Sequence, residues 1–203
     1  MSSRYRTFLR QGLNRKNRSR LKNHDFTIIC NNCVGGVIYH ELGEQFHSPT
    51  VNLFFPHPEE YIEFCSNLEY YLTCEFVEKE SDTYPVGLLD GRIEIHFVHY
   101  KDYQTAVNKW KERSRRVNFD NIYMILVQRD GCTDRDILRF LDMPFQNKIV
   151  FAANEHVDER VICIQNTREN TESVIDLCLY KNKFTGKRHI DDFDYVSWLN
   201  QNV

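Results

Sequence analysis

The run Ile122-Tyr123-Met124-Ile125-Leu126-Val127 constrains this chain more than any other segment. It shows no polar alternation, so an extended backbone here would be apolar on both faces. Such a strand must be covered above and below, which calls for helices on both sides of a sheet. Phe26-Thr27-Ile28-Ile29-Cys30 has the same character, and Lys148–Ala152 and Val161–Ile164 read as further strands. Between them lie helical patterns over Val37–Leu42 (closed by Gly43), Pro58–Tyr71, Tyr103–Val117, Asp134–Leu141, Thr171–Leu179 and Asp192–Leu199. Pro58 with Glu59 and Glu60 suits a helix start, as does Thr133 with Asp136. Strands alternating with helices predict an α/β fold, a mostly parallel Rossmann-like sheet flanked by helices.

The middle of the chain has a different period. Ile93, Ile95 and Phe97 alternate with Glu94 and His96, and Asp90-Gly91 is a turn signal. Cys74–Glu80 and Arg92–Val98 therefore read as a hairpin or sheet edge, and Pro49–Phe55 as a strand. A division into two small α/β lobes, about 23–100 and 101–203, stays open on this pattern.

No apolar run approaches the roughly 20 residues that span a bilayer, and the N-terminus has no secretory h-region. Seven cysteines make an odd set, and the Cys30/Cys33 pair has no second pair at metal-ligand spacing. Free thiols in a reducing cytoplasm are the expectation, with no metal site and no cofactor named. The net charge of −3 hides an asymmetry: residues 1–22 carry eight basic residues and no acid, leaving −11 for the remainder. Such an arm suits an anionic membrane surface, a nucleic acid, or the chain's own acidic body. Nucleic acid is the weakest partner, because the body shows no basic aromatic face. Tyr5, Phe8, Leu9 and Leu13 have helical spacing, but the arm is expected to be dispensable for folding of the domain at 23–203.

In an open α/β sheet, ligands bind beyond the carboxyl ends of the strands. Asn31-Asn32-Cys33-Val34-Gly35-Gly36 follows the first strand and precedes a helix. Gly35 and Gly36 would let backbone amides approach an anion, Asn31 and Asn32 would add donors, and Cys33 would feel the helix dipole. A tight turn with an inert thiol is the plain alternative. A base for Cys33 would come from His40 or, at a strand end, from His99; Asp130 ends the central strand and could orient it. Lys109, Arg113 and Arg116 share a helix face and, with Asn118, could hold a phosphate or carboxylate, or simply face solvent. Asp134-Arg135-Asp136 matches the D-x-D of many glycosyltransferases, but helix capping explains it better.

Several of these motifs together resemble a bacterial family of unknown function whose members are usually labelled exopolysaccharide or capsular polysaccharide biosynthesis proteins. They are Asn31–His40, Ser48–Phe54, His99-Tyr100, Lys109-Trp110, Arg113, Arg116-Val117-Asn118, Asp120-Asn121, Arg129–Thr133 and Leu141–Phe151. The resemblance covers most of residues 24–152 and implies a two-part α/β fold with a role near surface-glycan assembly. It identifies no catalytic residue. The expected activity is transfer of a sugar or of an activated, phosphate-bearing donor, with Cys33, His99 and Asp130 as catalytic candidates. Asn31, Asn32, Gly35, Gly36, His40, Tyr100, Lys109, Arg113, Arg116 and Asn118 are the candidates for substrate binding. The alternatives are a non-catalytic nucleotide- or sugar-binding protein and a cysteine-dependent acyl transferase or hydrolase using Cys33 and His99.

Overall fold

The computed structural model describes residues 3–164 and 173–201. Along the chain the elements run α1 (Ser3–Arg20), β1 (Thr27–Cys30), α2 (Val34–Leu42), α3 (Pro58–Ser66), α4 (Leu68–Tyr71), β2 (Phe76–Lys79), β3 (Val86–Leu89) and β4 (Ile93–His96). Then come α5 (Tyr103–Ser114), β5 (Ile122–Val127), α6 (Asp134–Asp142), β6 (Asn147–Ala152), β7 (Val161–Cys163) and α7 (Tyr195–Leu199). Strands β1-β5-β6-β7, in that order, form an all-parallel sheet, and β2-β3-β4 form a separate antiparallel one.

All residues of β5 are buried, and the strand alternates between two cores. Met124 and Leu126 join Phe64, Trp110, Phe140 and the antiparallel-sheet residues Leu89, Ile95 and Phe97. Tyr123, Ile125 and Val127 face Ile38 and Tyr39 of α2 and Trp198 and Leu199 of α7. The continuous apolar run thus serves both sides, as a parallel strand between helix layers requires. The α6 start has a full capping box between Thr133 and Asp136. The end of α2 is closed by Gly43 at φ 77°.

Four expectations need correction. First, β1, whose continuous apolar run predicts a central strand, lies at the edge of its sheet. Its outer N–H groups are capped by side chains: Tyr39 Oη accepts from Ile28 N (3.0 Å) and Thr50 Oγ1 from Cys30 N (3.1 Å). Second, this is why Pro49–Phe55 is not a strand. It lines the β1 edge through side chains, Asn52 turns it at φ 65°, and only Phe54 forms a bridge, with His96. Third, Val86–Leu89 is a strand that the sequence pattern did not single out; all four of its residues pair antiparallel with β2 on one side and with β4 on the other. Fourth, of the helix expected at 171–179, residues 171–172 lie outside the described residues and 173–179 are not helical.

The basic arm is a helix folded onto the acidic body. Arg10 is 4% exposed and grips Glu41 of α2, itself 3% exposed, and Asp191. Arg18 Nε donates to Glu41 O (2.8 Å), Asn17 to Tyr195 Oη (2.9 Å), and Arg20 pairs with Asp194. Gly186 lets the two segments touch, since a Cβ there would lie 2.5 Å from Arg10 N. Through these contacts α1 packs on the chain's own acidic body. Among the described residues, no helix is long and apolar enough to cross a membrane.

Candidate functional site

A cleft of about 210 Å³ opens at the carboxyl ends of β1 and β5. Asn32, Cys33 and Val34 line it from the β1–α2 turn, Arg129 and Asp130 from the turn after β5, with Phe54, Asp176 and Cys178 completing the wall. A larger hollow of about 740 Å³ beside α4 and α5 lies away from these strand ends, and its Lys111 is already paired with Glu75 at 2.5 Å.

The turn after β5 is set by backbone geometry. Asp130 (φ 54°) and Gly131 (φ 82°) are both left-handed, and Cys132 N donates to Arg129 O at 3.0 Å, as in a type I′ turn. The Arg129 and Asp130 side chains make no hydrogen bond or ion pair among the described residues. Asp176 reaches the same cleft because Val174 N donates to Gln128 O (2.9 Å) at the end of β5. Its carboxylate accepts from Cys178 N at 2.9 Å.

The β1–α2 loop is occupied by its own contacts. Asn31 is buried and bridges to β5: Val127 N donates to Oδ1 (2.9 Å) and Nδ2 donates to Val127 O (3.0 Å). Asn32 Oδ1 accepts from Val34 N at 3.0 Å, an Asx-type turn leading into α2. Cys30 lies beneath, its thiol pushed up to about 12 by burial, with hydrogen bonds from the backbone N–H groups of Asn32 and Gly35 partly opposing this. Gly35 and Gly36 serve packing rather than an open anion cradle. A Cβ at Gly35 would lie 3.0 Å from Cys30 Cβ, and one at Gly36 would lie 3.0 Å from Val51 Cγ1.

Cys33 sits in the cleft, but its surroundings oppose the thiolate. Burial, and secondarily the Asp176 carboxylate, push it up to about 11. Only about one thiol in 10⁴ would be ionised at neutral pH. Its Sγ points at Leu53 O, 3.6 Å away. Iodoacetamide labelling of Cys33, followed by mass spectrometry, should therefore be slow at pH 7 and rise about tenfold per pH unit to pH 10. A fast rate that is already level below pH 8 would contradict this.

The other candidates do not meet at the cleft. His99 is exposed on the loop after β4, and His40 is exposed in the last turn of α2, whose first turn forms the cleft. No histidine is among the cleft-lining residues. His96 is taken by Glu94 at 2.6 Å and Tyr84 at 3.2 Å. Tyr100 and Arg113 form an internal clamp: Arg113 donates to Tyr100 Oη (2.6 Å), Tyr100 donates to Val51 O (3.0 Å), and the guanidinium stacks on Phe46 at 4.9 Å. Lys109 and Arg116 both pair with Glu112, and Arg116 also donates to Phe46 O. Asn118 lies at the amino end of the sheet, its N–H on Thr27 Oγ1 at 2.9 Å, opposite the cleft. His99, Arg113 and Arg116 are not among the residues that line the cleft, although Tyr100, which Arg113 holds, lies within electrostatic reach of Cys33. Of the residues singled out from the sequence, the structure brings together Asn32, Cys33 and Asp130.

Phe54, Arg129, Asp176 and Cys178 were not singled out as site residues. Arg129 and Phe54 belonged to matched motifs, while Asp176 and Cys178 lie in a tail without a local signal. Among the described residues, no group of three or more His, Cys, Asp and Glu side chains is arranged to hold a metal ion.

The chain is 37% identical over 202 residues to an uncharacterized protein of Haemophilus influenzae, covering 98% of this chain and 94% of that protein. A family model described as a domain of unknown function, DUF1919, matches residues 4–200, from the docked arm through both sheets and the cleft to α7. This chain is therefore a member of the DUF1919 family.

Proposed function

We propose that the protein holds a sugar or sugar phosphate in the cleft between β1 and β5 and transfers it during assembly of a bacterial surface polysaccharide. The observation that carries the reading is the pair Arg129 and Asp130. Both are charged, neither has a protein partner among the described residues, and both stand at the carboxyl end of the central strand β5. Arg129 suits a phosphate, since a guanidinium makes charge-assisted hydrogen bonds to its oxygens. Asp130 and Asp176 suit sugar hydroxyls as acceptors, and the Phe54 ring offers an apolar face. With His99 away from the cleft, Asp130 is the group to take a proton from an attacking hydroxyl. A volume of about 210 Å³ fits one small group, so the rest of a larger donor would lie outside. That small volume also favours a second reading, a non-catalytic binder of the same ligand class. The cysteine acyl transferase or hydrolase reading has less support, because burial raises the Cys33 thiol and no histidine lines the cleft.

The test is a thermal-shift screen of sugar phosphates and nucleotide sugars, followed by titration of Arg129→Ala and Asp130→Asn. Losing one charge-assisted contact costs about 1.5–3 kcal/mol, so each variant should bind at least about tenfold more weakly with an unchanged melting temperature. Unchanged affinity in both would remove the cleft as the site. Release of nucleoside diphosphate from a bound nucleotide sugar would separate transfer from binding alone.

A further inference from the structure

A second face of the molecule is exposed, aromatic and basic. Where α1 crosses the segment near Gly186, a groove of about 490 Å³ is walled by Tyr5, Phe8, Leu9 and Leu13 on one side and by Phe184 on the other. Phe8 is 70% exposed and Phe184 69%, two of the most open large apolar side chains among the described residues. Neither is a loosely held chain end. Phe8 is in the body of α1, which Arg10 anchors through Glu41 and Asp191. Phe184 sits at the tip of a turn closed by the Tyr180–Arg188 bridge and by Lys181 N on Lys187 O at 3.0 Å. Asn182 Oδ1 fixes that tip by accepting from Phe184 N and Thr185 N, each at 2.9 Å.

The charge around this groove is of one sign. No acidic residue lines it, while Arg15 and Lys187 do, and Lys183 is exposed beside Phe184. The three cations make no ion pair among the described residues. The nearby acids are already taken, Asp191 by Arg10, Asp192 by Lys181 and Asp194 by Arg20. Exposed aromatic side chains flanked by unpaired cations match the headgroup layer of an anionic membrane, where rings sit at the interface and ammonium or guanidinium groups meet phosphate.

We propose that this face docks the protein on an anionic lipid bilayer. Phe8 and Phe184 enter the headgroup region, and Arg15, Lys183 and Lys187 lie against the lipid phosphates. The docking is peripheral, and it is independent of what the β1–β5 cleft binds.

The test is co-sedimentation of the full chain with vesicles of equimolar phosphatidylglycerol and phosphatidylcholine, and with vesicles of phosphatidylcholine alone. Binding is expected only to the anionic vesicles and should fall steeply as salt rises to roughly 0.5 M. The double variant Phe8→Ala with Phe184→Ala should partition about tenfold less, and Lys183→Glu with Lys187→Glu should lose about fivefold or more per position. These side chains are exposed, so both variants should keep the wild-type melting temperature. No preference for anionic vesicles, or wild-type partition in both variants, would overturn the proposal. So would binding to immobilised polyglutamate with none to vesicles, which would assign the face to an acidic protein partner.

Discussion

A chain beginning at Asn23 should melt about 10 °C or more below the full-length protein, and Arg10→Ala should reproduce much of that loss. Arg10 is the buried cation that neutralises Glu41 and Asp191, with its Nε on Glu41 Oε1 at 2.8 Å. Removing one member of a buried pair leaves the other charge without compensation, at a cost of about 3–5 kcal/mol. For a chain of this size each kcal/mol is worth about 2–4 °C. Arg188 offsets part of the loss at both acids, its Nε lying 2.9 Å from Glu41 Oε1 and its backbone N–H donating to Asp191 Oδ2 at 2.6 Å. Thermal unfolding followed by circular dichroism reads the difference. A truncated chain melting within a couple of degrees of the full one would show that the arm's ion pairs contribute little.

Asn31→Ala should destabilise the fold by about 2–4 kcal/mol, measured by urea unfolding, before any question of ligand arises. The Asn31 amide takes both backbone groups of Val127 where the β1–β5 ladder ends, and Asn31 and Val127 are both buried. Without it a buried N–H and a buried C=O lose their partners, at about 1–3 kcal/mol each. Asn31→Asp keeps an acceptor for Val127 N but turns a second oxygen toward Val127 O, so it should destabilise as well. A variant of normal stability and weakened ligand binding would instead restore Asn31 to the list of ligand contacts.

The strands were legible where burial on both faces forces a continuous apolar run. Ile122–Val127 is β5 as expected, and Lys148–Ala152 lies within β6. Capping chemistry located α6 for the same reason: Thr133 and Asp136 act within one turn. What was not legible depends on partners distant in sequence. Pro49–Phe55 looks like a strand, yet its pairing is taken over by Thr50 and by the left-handed Asn52. Val86–Leu89 is a strand because β2 and β4 flank it, and its Val-Gly-Leu-Leu has little pattern of its own. At the site, the position of the loop after β1 followed from local order, but the roles of its residues did not. Two glycines before a helix read equally well as an anion cradle or as close packing, and only the nearness of Cys30 and Val51 decides for packing. In the Lys109–Arg116 stripe, Lys109 and Arg116 pair with Glu112 while Arg113 turns inward onto Tyr100, a split that helical spacing does not show. Asp176 entered the cleft through a hydrogen bond from Val174 to Gln128, a contact across 46 residues that no local motif records.

The central claim is that the cleft at the carboxyl ends of β1 and β5 receives the ligand. The direct measurement is a titration of the ¹⁵N-labelled protein with the tightest sugar phosphate from the thermal-shift screen, following backbone amide shifts. The largest changes are expected at Asn32, Cys33, Phe54, Arg129, Asp130, Asp176 and Cys178. Changes centred on Lys109, Glu112 and Arg116, with the cleft amides unmoved, would contradict it.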